Sequence, residues 1–399
     1  MEPTPLTVND GLRRLGRLVC SCLLVFCATS GIARAGTISL AWNANPEPGV
    51  AGYVLYYGTT PGAYSASINI GNRTTYAFNE PQAGRVYFFA LQAFNVAGLG
   101  GPLSTEISST TLNYANFDGD DKSDFVTFNP SDGKWNVYQS ATGTILSIQW
   151  GLSSDIPVTG DFDGDGKSDI VAFRPSSGTW FILQSSTLFD QTAPAVIQWG
   201  ASGDVPFLGD FDGDGRADLT IFRPSNGYWL VRFANGTNSG LLWGASGDIP
   251  LLADFDGDRK ADPTVYRPST GTWFVTSSRF GYTSFGWWAR TWGGASGDKP
   301  LIGDYDGDGN SDLTIYRTSE GRFYIWKSAA NFLPGNFFSI QWGTTGDRPV
   351  SADLDGDRKT DVVVFRPSNG RWYVKSSSSG FVSTTSYVWS VGGDVPIGR

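Results

Sequence analysis

The stretch GDFDGDGKSD puts Asp161, Asp163, Asp165 and Asp169 within nine residues. Carboxylates this close repel one another unless a positive charge lies among them. Numbered from Asp161, the pattern is Asp-x-Asp-Gly-Asp-x-x-x-Asp, with carboxylates at positions 1, 3, 5 and 9 and the Lys167 carbonyl available at position 7. A flexible, all-oxygen, negative loop of this kind suits a hard cation that takes about six to eight oxygens at about 2.3–2.6 Å, namely Ca²⁺. Magnesium demands stricter octahedral geometry and keeps its waters. Zinc and copper are disfavoured, because the chain has no histidine and its three cysteines, Cys20, Cys22 and Cys27, all lie near the N-terminus. Gly164 and Gly166 permit the sharp turns that aim several carboxylates at one point. The loop is not an EF-hand: position 12 is Ala172 rather than Glu, and the flanks, as in DIVAFR, read as strands.

The loop occurs six times, opening at Asn116, Asp161, Asp210, Asp254, Asp304 and Asp353, with spacings of 45, 49, 44, 50 and 49 residues. The candidate metal ligands are therefore Asn116, Asp118, Asp120 and Asp124; Asp161, Asp163, Asp165 and Asp169; Asp210, Asp212, Asp214 and Asp218; Asp254, Asp256, Asp258 and Asp262; Asp304, Asp306, Asp308 and Asp312; and Asp353, Asp355, Asp357 and Asp361. Up to six Ca²⁺ ions, one per loop, are expected. The first loop opens on a neutral Asn116 and has Asp121 where the second has Gly166, and the fourth and sixth carry Arg259 and Arg358 there. The second, third and fifth loops are thus expected to bind most tightly. Beyond residue 35 the chain has 25 Lys+Arg against 36 Asp+Glu, an excess that six divalent ions would almost cancel.

What must position these loops also repeats in phase. A hairpin signal follows each one, as in FRPSSGTW and YRTSEGRF, and a Trp-Gly-x-x-Gly-Asp-x-Pro linker closes each unit, as in WGASGDVP. A period of 40 to 50 residues with several short strands predicts a β-propeller blade, whereas a calcium-binding β-roll would repeat every nine residues. The first loop lacks the Gly-Asp-x-Pro element before it, and the chain ends with one, VGGDVPIGR, that no loop follows. The C-terminal strand is therefore expected to complete the first blade and close a ring of six. Residues 113–399 resemble FG-GAP or VCBS repeats, as in the calcium-bearing propeller of the integrin α-subunit head. The resemblance rests on the acidic loops and the period, since a strong Phe-Gly/Gly-Ala-Pro signature is missing. It implies metal ligands at the matching aspartates of every copy.

The rest of the chain is read as two further segments. Arg13, Arg14 and Arg17 precede an apolar run from Leu18 to Ala28 and the small-x-small site Ala33-Arg34-Ala35, so residues 1–35 are expected to be a cleaved export signal. The mature chain would then have no cysteine and no disulfide. Over residues 36–110, short alternating segments around Trp42, GYVLYYG and VYFFALQAFNVAG predict a small two-sheet sandwich. That segment resembles a fibronectin type III domain. With 51 Gly and 21 Pro and no long helical period, the whole chain reads as all-β: a fibronectin type III sandwich followed by a six-bladed β-propeller with calcium-binding loops.

Some chemistry is excluded outright. Without histidine there is no Ser-His-Asp or Cys-His nucleophile system. Outside the loops, the acids left for an enzyme are Asp132, Asp190, Glu320 and the linker aspartates Asp155, Asp204, Asp248, Asp298, Asp347 and Asp394. Arg174, Arg223, Arg267, Arg317 and Arg366 recur in phase with those linker aspartates. They could ring a channel and bind an acidic ligand, but the shared phase favours pairing. Trp150, Trp199, Trp243, Trp292, Trp342 and Trp389 recur too, and are expected to pack between blades. Tyr282, Phe285, Trp287 and Trp288 break the pattern and are expected to form an exposed contact cluster. The expected function is a secreted or cell-surface, non-enzymatic binding or adhesion protein, monomeric, with an extracellular protein or glycan ligand. Nucleic-acid partners and a membrane span after signal cleavage are not expected. A lectin-like propeller is the alternative, and a propeller glycoside hydrolase or lyase a more distant one.

Overall fold

The computed structural model describes residues 38–397 except 43, 46–48, 59–61, 79–86, 105–106, 109–114, 121, 284, 330 and 391–392. The expected export signal and its cysteines lie outside these residues. Regular structure among the described residues is strand, with three-residue 3-10 turns at Ser185–Thr187, Ser278–Phe280 and Ser377–Ser379. No helix among them is long and apolar enough to cross a membrane. The chain divides into two compact units, with the boundary between Ser109 and Thr110.

The first unit has two antiparallel sheets. One pairs Ile38–Ala41 with Thr75–Phe78; the other orders Ala66–Gly71, Val50–Gly58, Phe88–Asn95 and Gly100–Leu103, with Ile107–Ser108 also pairing to Phe88–Asn95. Trp42, Tyr53, Leu55, Phe89 and Leu91 form its core, with Trp42 set edge-on to Tyr53 at 5.6 Å. On Phe88–Asn95, Phe88 and Ala90 are buried as fully as Phe89 and Leu91 on the opposite side of the strand. The strand lies in the middle of its sheet and is covered on both sides, so period-2 patterning is lost there.

The second unit consists of four-stranded antiparallel sheets, one per repeat. In the second repeat the strands are Ile156–Gly160, Asp169–Arg174, Thr179–Leu183 and Ala195–Gln198, hydrogen-bonded in that order. The repeats spanning 205–242, 249–291, 298–341 and 348–388 have the same arrangement. In the first repeat the innermost place is taken by the C-terminal strand Val395–Ile397, with Val395 opposite Phe128 and Ile397 opposite Val126. The leftover C-terminal Gly-Asp-x-Pro element therefore pairs where its sequence predicts. Second strands such as Asp169–Arg174 are buried on both faces up to the final arginine, which is why they read as unbroken apolar runs. Core clusters bridge neighbouring sheets. Val171, Phe173, Trp180 and Ile182 pack on Leu208, Leu219 and Ile221 of the next, and Phe125 of the first sheet packs on Val363, Phe365 and Trp372 of the last. Each fully buried residue such as Phe173 contributes about 2 kcal/mol from burial alone.

Candidate metal centre

Every acidic loop joins the first strand of a sheet to the second. In the second repeat the antiparallel register sets Gly160 opposite Asp169, so positions 1 and 9 of the loop meet at the end of the sheet. The same pairing places Asp218, Asp262, Asp312 and Asp361. Between the two strands, aspartates at alternate positions fold the backbone around themselves. Asp161 Oδ1 accepts the Gly164 N–H at 2.6 Å and Oδ2 that of Gly166 at 2.8 Å. Asp163 accepts from Asp165 N–H and Asp165 from Lys167 N–H, which are side-chain-to-backbone turns two residues long. Asp169 accepts the Phe162 N–H at 2.8 Å and the Ser185 N–H at 2.7 Å, one on each oxygen. Position 9 thus also staples the loop to the sheet. Arg259 and Arg358 adopt the left-handed φ of 68° and 69° that Gly166 takes at 86°, keeping the loop shape at a cost in strain.

In five repeats this folding brings three carboxylates together, with one oxygen from each lying within 4.8 Å of the others. The trios are Asp161, Asp163 and Asp169; Asp210, Asp212 and Asp218; Asp254, Asp256 and Asp262; Asp304, Asp306 and Asp308; and Asp353, Asp355 and Asp357. Position 5 (Asp165, Asp214, Asp258) stays outside the trio in the second to fourth repeats. Position 9 (Asp312, Asp361) stays outside it in the fifth and sixth. The first loop, with Asn116, Asp118, Asp120 and Asp124, forms no such trio among the described residues, although the Asn116 amide oxygen accepts the Gly119 N–H as Asp161 accepts that of Gly164.

Burial pushes the Asp161 carboxyl up to about 7 and Asp169 to about 8, and neighbouring aspartates push the same way. Asp210 rises to about 6 and Asp218 to about 8, Asp304 to about 7 and Asp312 to about 8, again chiefly from burial. Carboxylates so destabilised take up either a proton or a cation. The donor set fits Ca²⁺, and a further detail agrees: Asp306 Oδ1 is buried and finds no hydrogen-bond donor.

The loops are also tied to one another. The position 8 N–H of each donates to the position 1 carbonyl of the loop before it: Ser168 to Asn116, Ala217 to Asp161, Ala261 to Asp210, Ser311 to Asp254 and Thr360 to Asp304, at 2.6–2.8 Å. Ser123 of the first loop donates to Asp353 of the last at 2.6 Å. Position 7 side chains lie along the preceding loop, and a Cβ added to Gly119 would sit 3.0 Å from Lys167 Cε. The glycine at position 4 is favoured by its own left-handed φ, 83° at Gly119.

Sequence reasoning passes over one set of residues. Ser140, Ser185, Ser278, Ser328 and Ser377 each donate a hydroxyl to the position 5 aspartate and a backbone N–H to the position 9 aspartate of their own repeat. In the third repeat Ala234 supplies only the N–H. The signal is a serine 16 residues after position 9, visible once the repeats are aligned.

The linker aspartates are held differently. Asp155 receives Arg174 Nε and Nη2 at 2.9 Å each, and the pairs Arg223–Asp204, Arg267–Asp248, Arg317–Asp298 and Arg366–Asp347 repeat the bidentate bond. In the first sheet, where Asn129 replaces the arginine, Asp394 accepts from the Thr127 hydroxyl. The phased tryptophans pack between sheets: Trp150, Trp243, Trp292 and Trp342 donate to carbonyls of the next sheet, and Trp389 stacks on Tyr138 of the first. The expected exposed cluster in the fourth repeat is corrected. Phe285 and Trp287 are exposed, but Tyr282 turns inward at φ 58° to bond the Phe211 and Ala261 carbonyls, and Trp288 packs on Phe255 and Phe332.

Fold and site together define an all-β chain of repeated four-stranded sheets, each headed by an acidic loop. Residues 161–221 and 304–364 match the model of the FG-GAP-like repeat, and the chain carries such repeats. No curated protein matches the chain by sequence. Among solved structures it is similar to an auxiliary nutrient binding protein from Bacteroides thetaiotaomicron VPI-5482, at 11% identity and TM-score 0.39, covering 88% of this chain and 94% of that one. It is similar to a streptogramin B lyase at 10% identity and TM-score 0.37, covering 81% and 95%. The Dos1 propeller aligns at 12% identity and TM-score 0.36, covering 90% and 88%. Superpositions this loose assign no site residue.

Proposed function

We propose that residues 113–399 form a six-bladed β-propeller whose acidic loops bind Ca²⁺, and that the protein is a secreted or cell-surface binding module without enzymatic activity. The observation that carries this is the set of five carboxylate trios, the opening aspartate of each pushed up by burial, on loops linked first to last by hydrogen bonds. Bound Ca²⁺ would supply the positive charge these loops lack and cross-link each blade in place of disulfides. The residues that would hold it are the trio members, with the position 5 and position 9 aspartates completing the shell or orienting it. Residues 36–110 are read as a fibronectin type III-like spacer, and residues 1–35 as an export signal.

The non-enzymatic reading rests on what the remaining acids are doing. Five linker aspartates are clamped by arginine, and Asp132 and Asp190 are lone turn acids that accept the Lys134 and Thr192 N–H groups. Among the described residues, Glu320 is likewise held by Tyr324 and Asp394 by Thr127, which argues against these acids working as a general acid and base pair. Recognition of an extracellular protein or glycan is the role that remains. The test is retention of the purified chain on glycan and extracellular-protein arrays in Ca²⁺ and in EGTA. Retention that requires Ca²⁺ is expected. No retention in either buffer, or cleavage of an arrayed glycan, contradicts the reading.

A further inference from the structure

The junction between the fourth and fifth sheets is rebuilt relative to the others, and its departures converge on one place. The linker there runs Trp292-Gly293-Gly294 and reaches Asp298 in six steps, where Trp199 reaches Asp204 and Trp342 reaches Asp347 in five. Thr318 stands where the other five hairpins carry proline, and its hydroxyl donates to the Gly297 carbonyl at 3.0 Å, fastening the hairpin to the longer linker. Glu320, the only glutamate after Glu106, takes a place held elsewhere by Asp, Ser, Asn or Thr. Tyr324 stands where the second and fourth sheets carry Phe181 and Phe274, a place that is also tyrosine, Tyr373, in the sixth.

Beside Glu320 is a pocket of about 100 Å³ lined by Trp292, Gly293, Ile315, Arg317 and Tyr324. The Tyr324 hydroxyl donates to Glu320 Oε2 at 2.6 Å, and Arg317 Nη1 lies 3.4 Å from Glu320 Oε1. Arg322 Nε stands 3.9 Å from the same carboxylate. Arg317 cannot swing away, because its Nε and Nη2 are held by Asp298 and its guanidinium lies 4.8 Å over the Tyr324 ring. Two arginines and two carboxylates balance, so the site has no net charge with which to select an ion. What it offers is fixed donors and acceptors side by side at an aromatic wall. A molecule complementary to both is uncharged, has adjacent hydroxyls on one side and an apolar face on the other.

We propose that this junction binds a terminal neutral pyranose of a glycan, with its hydroxyls on Glu320 and Arg322 and its apolar face toward Tyr324 and Trp292. The proposal rests on the binding-module reading and narrows it to one ligand class at one site. The test is tryptophan fluorescence titration of the full chain in Ca²⁺ with a panel of methyl glycosides of neutral hexoses and 6-deoxyhexoses. At least one should saturate. Glu320→Gln and Tyr324→Phe should each weaken it about tenfold, since each removes a hydrogen bond to or from a charged group. Both variants should keep the wild-type melting temperature, the Glu320 side chain being exposed, and Asn369→Ala at the next junction should bind as wild type does. Saturation of no glycoside, tighter binding of a sialylated or sulfated glycoside, or unchanged affinity in both variants would overturn the site. Array retention that survives that failure would leave the broader binding function standing.

Discussion

In five of the six sheets the second strand begins at an acidic loop and ends at an arginine, and its two ends treat aspartate in opposite ways. At the arginine end, the Asp155 side chain is fully buried and both its oxygens are bonded by one guanidinium. In the second to sixth repeats the chain supplies the counter-charge from its own sequence, one arginine each. At the loop end, three carboxylates converge in five of the repeats, and burial holds Asp169, Asp218 and Asp262 well above the ordinary carboxylate range. The fold therefore contains one ring of aspartates that is electrostatically complete in five of the six repeats and another whose carboxylates converge on one another. Neighbouring Lys167 and Lys260 lie along the preceding loops, and the Lys260 ammonium bonds a backbone carbonyl, Asp212 O, rather than a carboxylate.

Breaking the complete ring should do the most damage at a single site. Arg174→Ala strands a buried carboxylate, so the variant should lose about 3–5 kcal/mol of stability, measured by urea unfolding, and Ca²⁺ should not restore it. A loss below 1 kcal/mol would mean that the pair is no more than a surface bridge. The other ring should respond with a sign that depends on the buffer. Asp306→Asn removes one of three mutually repelling acids, one whose Oδ1 has no donor. In EGTA this variant should melt higher than the wild type, by about 1 kcal/mol. In Ca²⁺ it should melt lower, because a ligand charge is gone. The same sign in both buffers would remove the distinction between the rings.

Much of this was legible in the residues. The loop motif, its period, the in-phase arginines and aspartates, and the C-terminal strand that pairs with Phe125–Asn129 can all be read from spacing, because each is a one-dimensional pattern. What could not be read depends on neighbours distant in sequence. Ser185 reaches Asp165 only because the third strand returns to the loop end of its sheet. Lys167 lies against Gly119 of the preceding repeat. The aromatic segment of the fourth repeat looked like a single exposed patch, yet Tyr282 and Trp288 find partners in adjoining sheets while Phe285 does not.

The central claim, that the acidic loops are completed by Ca²⁺, is tested most directly by the melting temperature of the full chain in Ca²⁺ and in EGTA between pH 5 and pH 8. Without metal, the raised pKa values of Asp161, Asp169, Asp210 and Asp218, about 6 to 8, mean that the folded chain holds more protons than the unfolded one. That contribution is fully present below about pH 4 and is lost as pH rises through about 8. Bound Ca²⁺ requires ionised ligands, so its stabilisation grows over the same interval, by about 2.7 kcal/mol per site when the ion is at a hundredfold its Kd. The account predicts a higher melting temperature in Ca²⁺ and a gap to the EGTA curve that widens from pH 5 to pH 8. Coincident curves across that range would contradict it.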